Sequence, residues 1–226
     1  MRIQHNITAL NAHRNLSNNN SFLGKNLEKL SSGYRINRAG DDAAGLAISE
    51  KMRAQVTGLE TATKNANDGV SLIQTAEGAL TEVHSMLNRM VELATQSANG
   101  TYSSANRAEM QKEIVALNAE IDRIGKTANF NGTKLFDGKT SVIKLHVGES
   151  SSTDNQMNVA FKQMASSTIG TKGGTQVSKV DINKAESARS AIDVINNAID
   201  QISSMRSDFG ALQNRLEHTI NNLGVQ

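Results

Sequence analysis

The chain of 226 residues contains no cysteine, no proline and no tryptophan, and aromatic residues make up only 3% of it. The absence of cysteine excludes disulfide bonds and thiolate metal sites. Because proline costs about 3 kcal/mol inside a helix, its absence favours long, uninterrupted helices. With so few aromatic side chains, we expect the helices to pack closely along thin apolar seams and not around one bulky core.

Charge and hydropathy argue against two further classes of protein. The formal net charge is only +2, and there is no dense run of lysine and arginine, so the composition does not indicate nucleic-acid binding. No apolar run reaches the ~18 residues that a membrane span requires, so we expect no transmembrane helix. Residues 1–6 lack the apolar core of a secretory signal peptide.

A heptad pattern of apolar and small residues is the strongest periodic feature of the sequence. From Leu59 to Ala94 the pattern alternates steps of three and four residues without interruption, and it extends backwards through Met52 and Ile48. A pattern sustained beyond four heptads is typical of a helix in a coiled coil. It predicts one long helix over residues 42–98.

Two further amphipathic helices are predicted after the first. One covers about 104–125, with Gly125 where a C-cap belongs, and the other runs from near Asp181 towards Leu223. Because no single helix can bury an apolar stripe alone, we expect the three helices to pack against one another. The predicted seam residues are Leu59, Ile73, Leu80, Leu87, Ile114, Ile121, Ile195, Ile202 and Leu216.

Between residues 128 and 180 the apolar period changes to two. Ile143, Leu145 and Val147 alternate with polar residues, and the same alternation recurs over 157–161. Asn-Gly and Asp-Gly dipeptides, which favour tight turns, precede these runs. The pattern predicts one or two β-hairpins.

The predicted fold class is therefore mainly α: a long antiparallel helical bundle or coiled coil with a small β-hairpin region. Residues 1–40 contain a weaker N-terminal helix and a hinge, and 41–127 contain the long helix and the second helix. Residues 128–180 form the β-hairpin region and a loop, and 181–226 form the returning helix. The apolar stripe within 7–30 has no partner earlier in the chain, so we expect poor order there without a partner helix.

No group of residues indicates catalysis. The five histidines are scattered, and none has a carboxylate or a second histidine at helical ligand spacing. A phosphate loop, a His-Glu-x-x-His pair and a Gly-x-Ser-x-Gly turn are all absent from the sequence. We therefore predict that the protein is not an enzyme and has neither a metal site nor a cofactor.

Residues 30–56 read as a polar hinge followed by a helix start. Gly33 and Gly40 relax the backbone, and Asp41 is the predicted N-cap of the long helix. As a string, this segment resembles the signature region of bacterial flagellin. Further segments resemble the same family, and together they cover most of the chain: 6–11, 68–80, 92–100, 130–135 and 210–217.

The resemblance implies a structural subunit of the bacterial flagellar filament. In that family the subunits self-assemble through coiled-coil helices into a helical homopolymer. The implied partners are other subunits, the type III flagellar export apparatus, and the filament cap and hook-junction proteins. The implied location is extracellular, in the flagellum, after export without a cleaved signal peptide.

The resemblance also implies a ligand of a flagellin-sensing Toll-like receptor. The receptor-contact positions of the family match Arg89, Leu93 and Glu113. In the heptad register Arg89 lies off the seam and faces outward, whereas Leu93 flanks the seam, so core packing and exposure both stay open for it. Glu113 neighbours a seam residue, and an ordinary solvated face is the alternative there. Val91 stands where many relatives carry arginine.

Two departures from the family pattern leave alternatives open. The family usually inserts a large variable outer domain before the returning helix, where this sequence has a short polar loop. The family also continues with a further terminal helix beyond the position of Gln226. We therefore hypothesise a fragment or the ordered part of a longer chain. The alternatives are a hook–filament junction protein, which the match over 68–100 disfavours, and a receptor-binding fragment that does not itself polymerise.

Overall fold

The computed structural model describes residues 6–139, 142–170 and 175–225. The helices are α1 (Ile7–Ser32), α2 (Ala43–Ala98), α3 (Ser104–Thr127) and α4 (Ala185–Leu223). The strands are β1 (Asn129–Phe130), β2 (Thr133–Lys134), β3 (Val142–His146) and β4 (Gln156–Ala160). The predicted fold class, mainly α with a small β-hairpin region, is confirmed.

The chain divides into two compact units, Met1–Thr57 and Gly58–Gln226, which we call the N-terminal unit and the bundle unit. The first part of α2 belongs to the N-terminal unit and the rest to the bundle unit. Among the described residues of the N-terminal unit, from residue 6 onwards, none is buried. The core begins at Ala62, inside the bundle unit.

The bundle unit has one apolar core, to which α2, α3 and α4 all contribute. The ion pair between Arg206 and Glu77, with Nη2 3.5 Å from Oε1, joins α4 to α2. A second contact places Leu216 beside Gly69. Because higher numbers on α4 face lower numbers on α2, the two helices run antiparallel. Of the predicted seam residues, Leu59 is half-buried, and those that are fully buried are Ile73, Leu80, Leu87, Ile114, Ile121, Ile195, Ile202 and Leu216.

Two antiparallel hairpins occupy part of the region with the period of two. Asn131 and Gly132 connect β1 to β2 with φ angles of 47° and 80°, which is why an Asn-Gly pair stands at this turn. β3 pairs with β4 from Val142↔Ala160 to His146↔Gln156. The second hairpin lies on α2, since Asn65 Nδ2 donates to the carbonyl of His146 at 3.0 Å.

Polar side chains of α3 hold the irregular segment that returns from the hairpins to α4. Gln111 bridges two backbone groups, donating to the Val180 carbonyl at 3.1 Å and accepting from the Ile182 amide at 2.8 Å. One turn from the end of α3, Asp122 accepts from the Ser166 amide at 2.7 Å. These bonds satisfy backbone groups that have no strand or helix partner.

The cap of α2 differs by one residue from the prediction. Asp42, and not Asp41, lies directly before the helix, and its Oδ1 accepts from the Gly45 amide at 2.9 Å, which is the N-cap bond. Asp41 instead turns back into the hinge, where its Oδ2 accepts from the amides of Asn37 and Arg38, each at 3.3 Å. Adjacent acids cannot be assigned to these two roles from their order alone.

Candidate interaction surfaces

The N-terminal unit exposes large apolar side chains along α1. Leu16, Leu23, Leu27 and Leu30 follow one another at steps of seven, four and three, so they share one face of the helix. The large apolar residues of α1, each more than half exposed, are Ile7, Leu10, Leu16, Phe22, Leu23, Leu27 and Leu30. Of this set, we call Leu16, Leu23, Leu27 and Leu30, which share one face, the α1 apolar face.

The first part of α2 adds a second group of exposed apolar residues. Ile48, Met52 and Val56 recur at steps of four and are each more than half exposed. The heptad pattern predicts that Ile48 and Met52 continue the bundle seam. The structure shows that this prediction is wrong, because both side chains are exposed. The residues keep the spacing of the seam but lie in the N-terminal unit, where no described element covers them.

Ion pairs hold the hinge against the end of α1. Glu28 Oε1 accepts from Arg38 Nε at 2.8 Å and from Asn37 Nδ2 at 3.0 Å. Lys29 Nζ lies 3.4 Å from Asp41 Oδ1. The hydrogen bond and charge of Glu28 raise the pKa of Arg38 above its ordinary value, and the Asn37 amide is the main cause that lowers the pKa of Asp41. We call these five residues the hinge ion-pair network.

The three predicted receptor contacts lie where α2 and α3 meet. Arg89 is about half exposed and donates to Glu113 at 2.8 Å and to Glu92 at 2.9 Å. The hydrogen bond to Glu113 is the largest cause that raises the pKa of Arg89 above its ordinary value. Leu93 differs from its two neighbours because it is only 2% exposed and belongs to the core. The structure thus brings Arg89 and Glu113 together at the surface and places Leu93 beneath it.

The described residues contain no group of three or more histidine, cysteine, aspartate or glutamate side chains that could hold a metal ion. Nor does any helix in the described part of the chain have the length and apolarity of a membrane span.

Two exposed apolar residues of the N-terminal unit, Phe22 and Val56, were not predicted from the sequence. Phe22 precedes Leu23 on α1, and Val56 continues the steps of four from Ile48 and Met52. The spacing of Val56 was a usable signal, because it repeats every four residues within a predicted helix. No comparable signal was present for Phe22, which is adjacent to Leu23 and therefore lies off the face that the leucines share.

Two models of the same family match this chain. The model described as the bacterial flagellin N-terminal helical region matches residues 3–141, and that of the bacterial flagellin C-terminal helical region matches residues 192–226. The first model alone covers more than half of the chain. Both candidate surfaces, on α1 and between α2 and α3, lie within the N-terminal match.

Individual proteins agree with the family models. The chain is 48% identical to a flagellin of Bacillus subtilis, in an alignment that covers all of this chain and 83% of the relative. It is 43% identical to the flagellar filament 33 kDa core protein of Treponema phagedenis, with 100% and 82% covered. Among solved structures, a Bacillus cereus flagellin matches with a TM-score of 0.59 and 31% identity, covering 71% of this chain and 88% of that one.

Proposed function

Because this chain belongs to the bacterial flagellin family, we propose that its α1 apolar face is the surface through which copies of the chain contact one another. The family is structural and not enzymatic, and the chain is a structural subunit of the bacterial flagellar filament. Flagellins self-assemble into a homopolymer, and that filament is extracellular. The proposal concerns which part of the chain makes the contacts between copies.

One observation carries it: the leucines of the α1 apolar face are exposed, whereas most large apolar side chains of α2, α3 and α4 in the bundle unit form a core. A contiguous exposed apolar face is unusual on an isolated soluble chain and marks an interaction surface. Burial of apolar area contributes about 25 cal/mol per Å², so covering a row of leucines supplies a large driving force for association. A heptad-spaced face is suited to a helix from another copy, packed as in a coiled coil.

Substitution of the apolar face tests the proposal without disturbing the bundle. In the triple variant Leu16→Asn, Leu23→Asn and Leu30→Asn, we expect the chain to fail to elongate short filament seeds, as measured by sedimentation and electron microscopy. The matched control is Val115→Asn, since Val115 is 58% exposed but lies on α3 in the bundle unit. Elongation by the triple variant at the wild-type rate would overturn the proposal.

The further assembly partners follow from the family and not from a contact in this structure. We propose that the chain reaches the cell exterior through the type III flagellar export apparatus without a cleaved signal peptide. The filament cap and hook-junction proteins are then its neighbours at the two ends of the filament. An intact-mass measurement of exported protein tests the export proposal, because removal of a signal peptide would lower the mass.

A second function is favoured by the Arg89–Glu113 pair. The pair is partly exposed, and Arg89 is bonded to two carboxylates, so the pair presents a charged feature at the α2–α3 surface. We propose that a flagellin-sensing Toll-like receptor binds this surface. Leu93 acts from beneath, because its burial lets it position α2 but not touch a partner directly.

Charge exchange separates receptor contact from stability. In Arg89→Glu we expect receptor signalling to fall sharply, and in Arg89→Glu with Glu113→Arg we expect the thermal transition to recover but not the signalling. The control is Arg123→Glu, which breaks the exposed α3 pair of Arg123 with Glu120. Recovery of signalling in the exchanged variant would show that the pair acts only through stability, and the receptor proposal would then be wrong.

A further inference from the structure

The second hairpin has two edges, and its register shows which backbone groups lie along each edge. The Val147 amide donates to the Asn155 carbonyl at 2.8 Å, one residue beyond the paired strands, so these two residues form a hydrogen-bonded pair. Hydrogen-bonded and non-hydrogen-bonded pairs alternate in an antiparallel ladder. The backbone N–H and C=O groups of His146, Asn158 and Ala160 therefore point away from the partner strand, towards the edges.

The β3 edge is covered by α2, whereas the β4 edge is open. On the β3 side, the His146 carbonyl accepts from Asn65 of α2 at 3.0 Å. On the β4 side, the N–H and C=O groups of Asn158 and Ala160 bind no described residue, and both residues are exposed. An open strand edge of this kind is a template on which another extended chain can form main-chain hydrogen bonds.

An apolar groove runs between the β4 edge and α4. Its floor contains Met205 and Phe209, which are buried, and Leu212, which is half-buried. The groove has a volume of about 330 Å³, against about 30 Å³ for one water molecule, so it has room for side chains. Since side chains alternate between the two faces of a sheet, a strand added at the β4 edge would direct every second side chain onto this floor.

The two ends of the groove differ in charge. Lys162 and Asp208, which have opposite charges, both line the groove towards the end of β4. Arg215 lines the other end, and its guanidinium makes no hydrogen bond or ion pair with a described residue. Because a guanidinium binds a carboxylate through charge-assisted hydrogen bonds, a carboxylate is the group that complements this end.

The dimensions of the groove fit an extended segment of five residues. The ten residues from Met205 to Arg215 span about 15 Å along α4, and four steps of an extended chain span about 14 Å. Ala160 lines the groove with Met205, whereas Gln156 lines an adjoining cavity with His218, so β4 and α4 run antiparallel. A strand that pairs antiparallel with β4 therefore runs in the direction of α4, and its apolar residues precede its acid.

We propose that the β4 edge and the groove beside it form a docking site for an extended segment of a partner protein, with the pattern apolar-x-apolar-x-acid. The segment pairs with the backbone of Asn158 and Ala160, lays its two apolar side chains on the groove floor and places its carboxylate at Arg215. A second folded copy of the chain is not the occupant. Outside the helices, the described residues contain this pattern only over 145–149, where both apolar side chains already pack on the core of their own chain.

Binding of synthetic peptides to the dilute, unassembled full chain tests the proposal. The probe is a fluorescein-labelled peptide of sequence Thr-Val-Thr-Val-Thr-Glu-Thr with blocked ends, and fluorescence anisotropy gives its Kd. We expect saturable binding that weakens about fivefold or more when glutamine replaces the glutamate. Because directly opposite residues share one face, the peptide residues that pair with exposed Asn158 and Ala160 are threonines. N-methylation of threonine amides should therefore abolish binding, whereas N-methylation of the valine amides should leave the Kd unchanged.

Variants of the chain provide the complementary test. Asn158→Pro removes an N–H of the open edge without removing a ladder bond, and we expect it to abolish peptide binding. The matched control is Lys144→Pro, which changes the residue directly opposite, on the β3 edge, and should retain binding. Arg215→Glu should weaken binding of the glutamate peptide and restore it for a peptide with lysine at that position, which a misfolded groove would not do.

Three results would each overturn the proposal. They are the absence of saturable binding to the wild-type chain, equal binding of the peptides methylated at threonine and at valine, and an unchanged preference for glutamate in Arg215→Glu. If Asn158→Pro also lowers the thermal transition, the methylated peptides and the charge exchange still decide the matter. The measurement needs no assembly, so its failure leaves the proposed function of the α1 apolar face unaffected.

Discussion

The two units of this molecule carry the same kind of sequence pattern and use it in opposite ways. In the bundle unit, Leu80 and Leu87 of α2 are completely buried against neighbouring helices. In the N-terminal unit, Leu23 and Leu30 of α1 occupy equivalent heptad steps and are largely exposed. A heptad pattern therefore predicts that a helix has an apolar face, but it does not predict whether the partner of that face lies in the same chain. In a filament subunit, this difference separates the folded core from the proposed assembly surface.

The largest expected effect on stability comes from replacing a leucine by aspartate, first in the bundle unit and then in the N-terminal unit. Leu87→Asp buries an unpaired carboxylate in the core, and we expect it to lower the free energy of unfolding of the bundle unit by about 4 kcal/mol or more. Leu23→Asp is the matched control on the exposed face, with a change of less than about 1 kcal/mol. Urea denaturation followed by circular dichroism measures both. Equal effects of the two variants would contradict the division into a core and an open face.

The next largest effect on stability is expected where the backbone of the return segment lies close to Gly125 of α3. A Cβ added to Gly125 of α3 would overlap the carbonyl oxygen of Met164, so Gly125→Ala must displace the backbone. We expect a loss of about 2–3 kcal/mol in the bundle unit. Gly78→Ala on α2 is the control, because nothing lies within 4 Å, and it should instead stabilise by about 0.5–1 kcal/mol. A neutral result for Gly125→Ala in the same denaturation experiment would show that the return segment does not pack on α3 as described.

A smaller effect concerns the polar attachment of the return segment. Gln111→Ala removes the partner of both the Val180 carbonyl and the Ile182 amide, and we expect a loss of about 1–3 kcal/mol. The neighbouring substitution Lys112→Ala breaks only an exposed pair with Glu109, so it should change stability by less than about 0.5 kcal/mol. Thermal denaturation of both variants checks the difference. If the two losses were equal, the bridge by Gln111 would have no special role.

The smallest effect compares helix caps in the two units. Ser103→Ala removes the N-cap bond of α3 to the Asn106 amide, and should cost the bundle unit about 1 kcal/mol. Asp42→Ala removes the corresponding bond of α2, but it should only speed amide hydrogen exchange in the first turn of that helix. The expected outcome is a lower thermal transition for Ser103→Ala alone. A lowered bundle transition in Asp42→Ala would show that the two units unfold together.

Much of the fold could be predicted from the sequence because it depends on apolar periodicity. The helix predicted over 42–98 is Ala43–Ala98, and that over 104–125 is Ser104–Thr127. The returning helix starts at Ala185, four residues after the predicted Asp181. The period of two and the turn dipeptides predicted one or two hairpins, and the described residues contain two.

The rest depends on contacts that leave no periodic signal. Gln111 and Asp122 bind backbone groups of a segment far along the chain, and a polar residue on a helix looks the same whether it binds backbone or water. Asp42 and not Asp41 is the N-cap of α2, because the residue at which the backbone turns helical decides which of two adjacent acids can cap it. Leu93 flanks the heptad seam, and only the packing of α2 on its neighbours determines that it is buried.

Amide hydrogen–deuterium exchange of the unassembled chain and of the filament tests the central claim most directly. In the unassembled chain we predict fast exchange over α1 and slow exchange over α4, because α1 has no buried residue whereas α4 contributes many to the core. On assembly, the largest gain in protection should fall on residues 7–32. Equal protection of α1 and α4 before assembly, or no gain over α1 in the filament, would contradict the account.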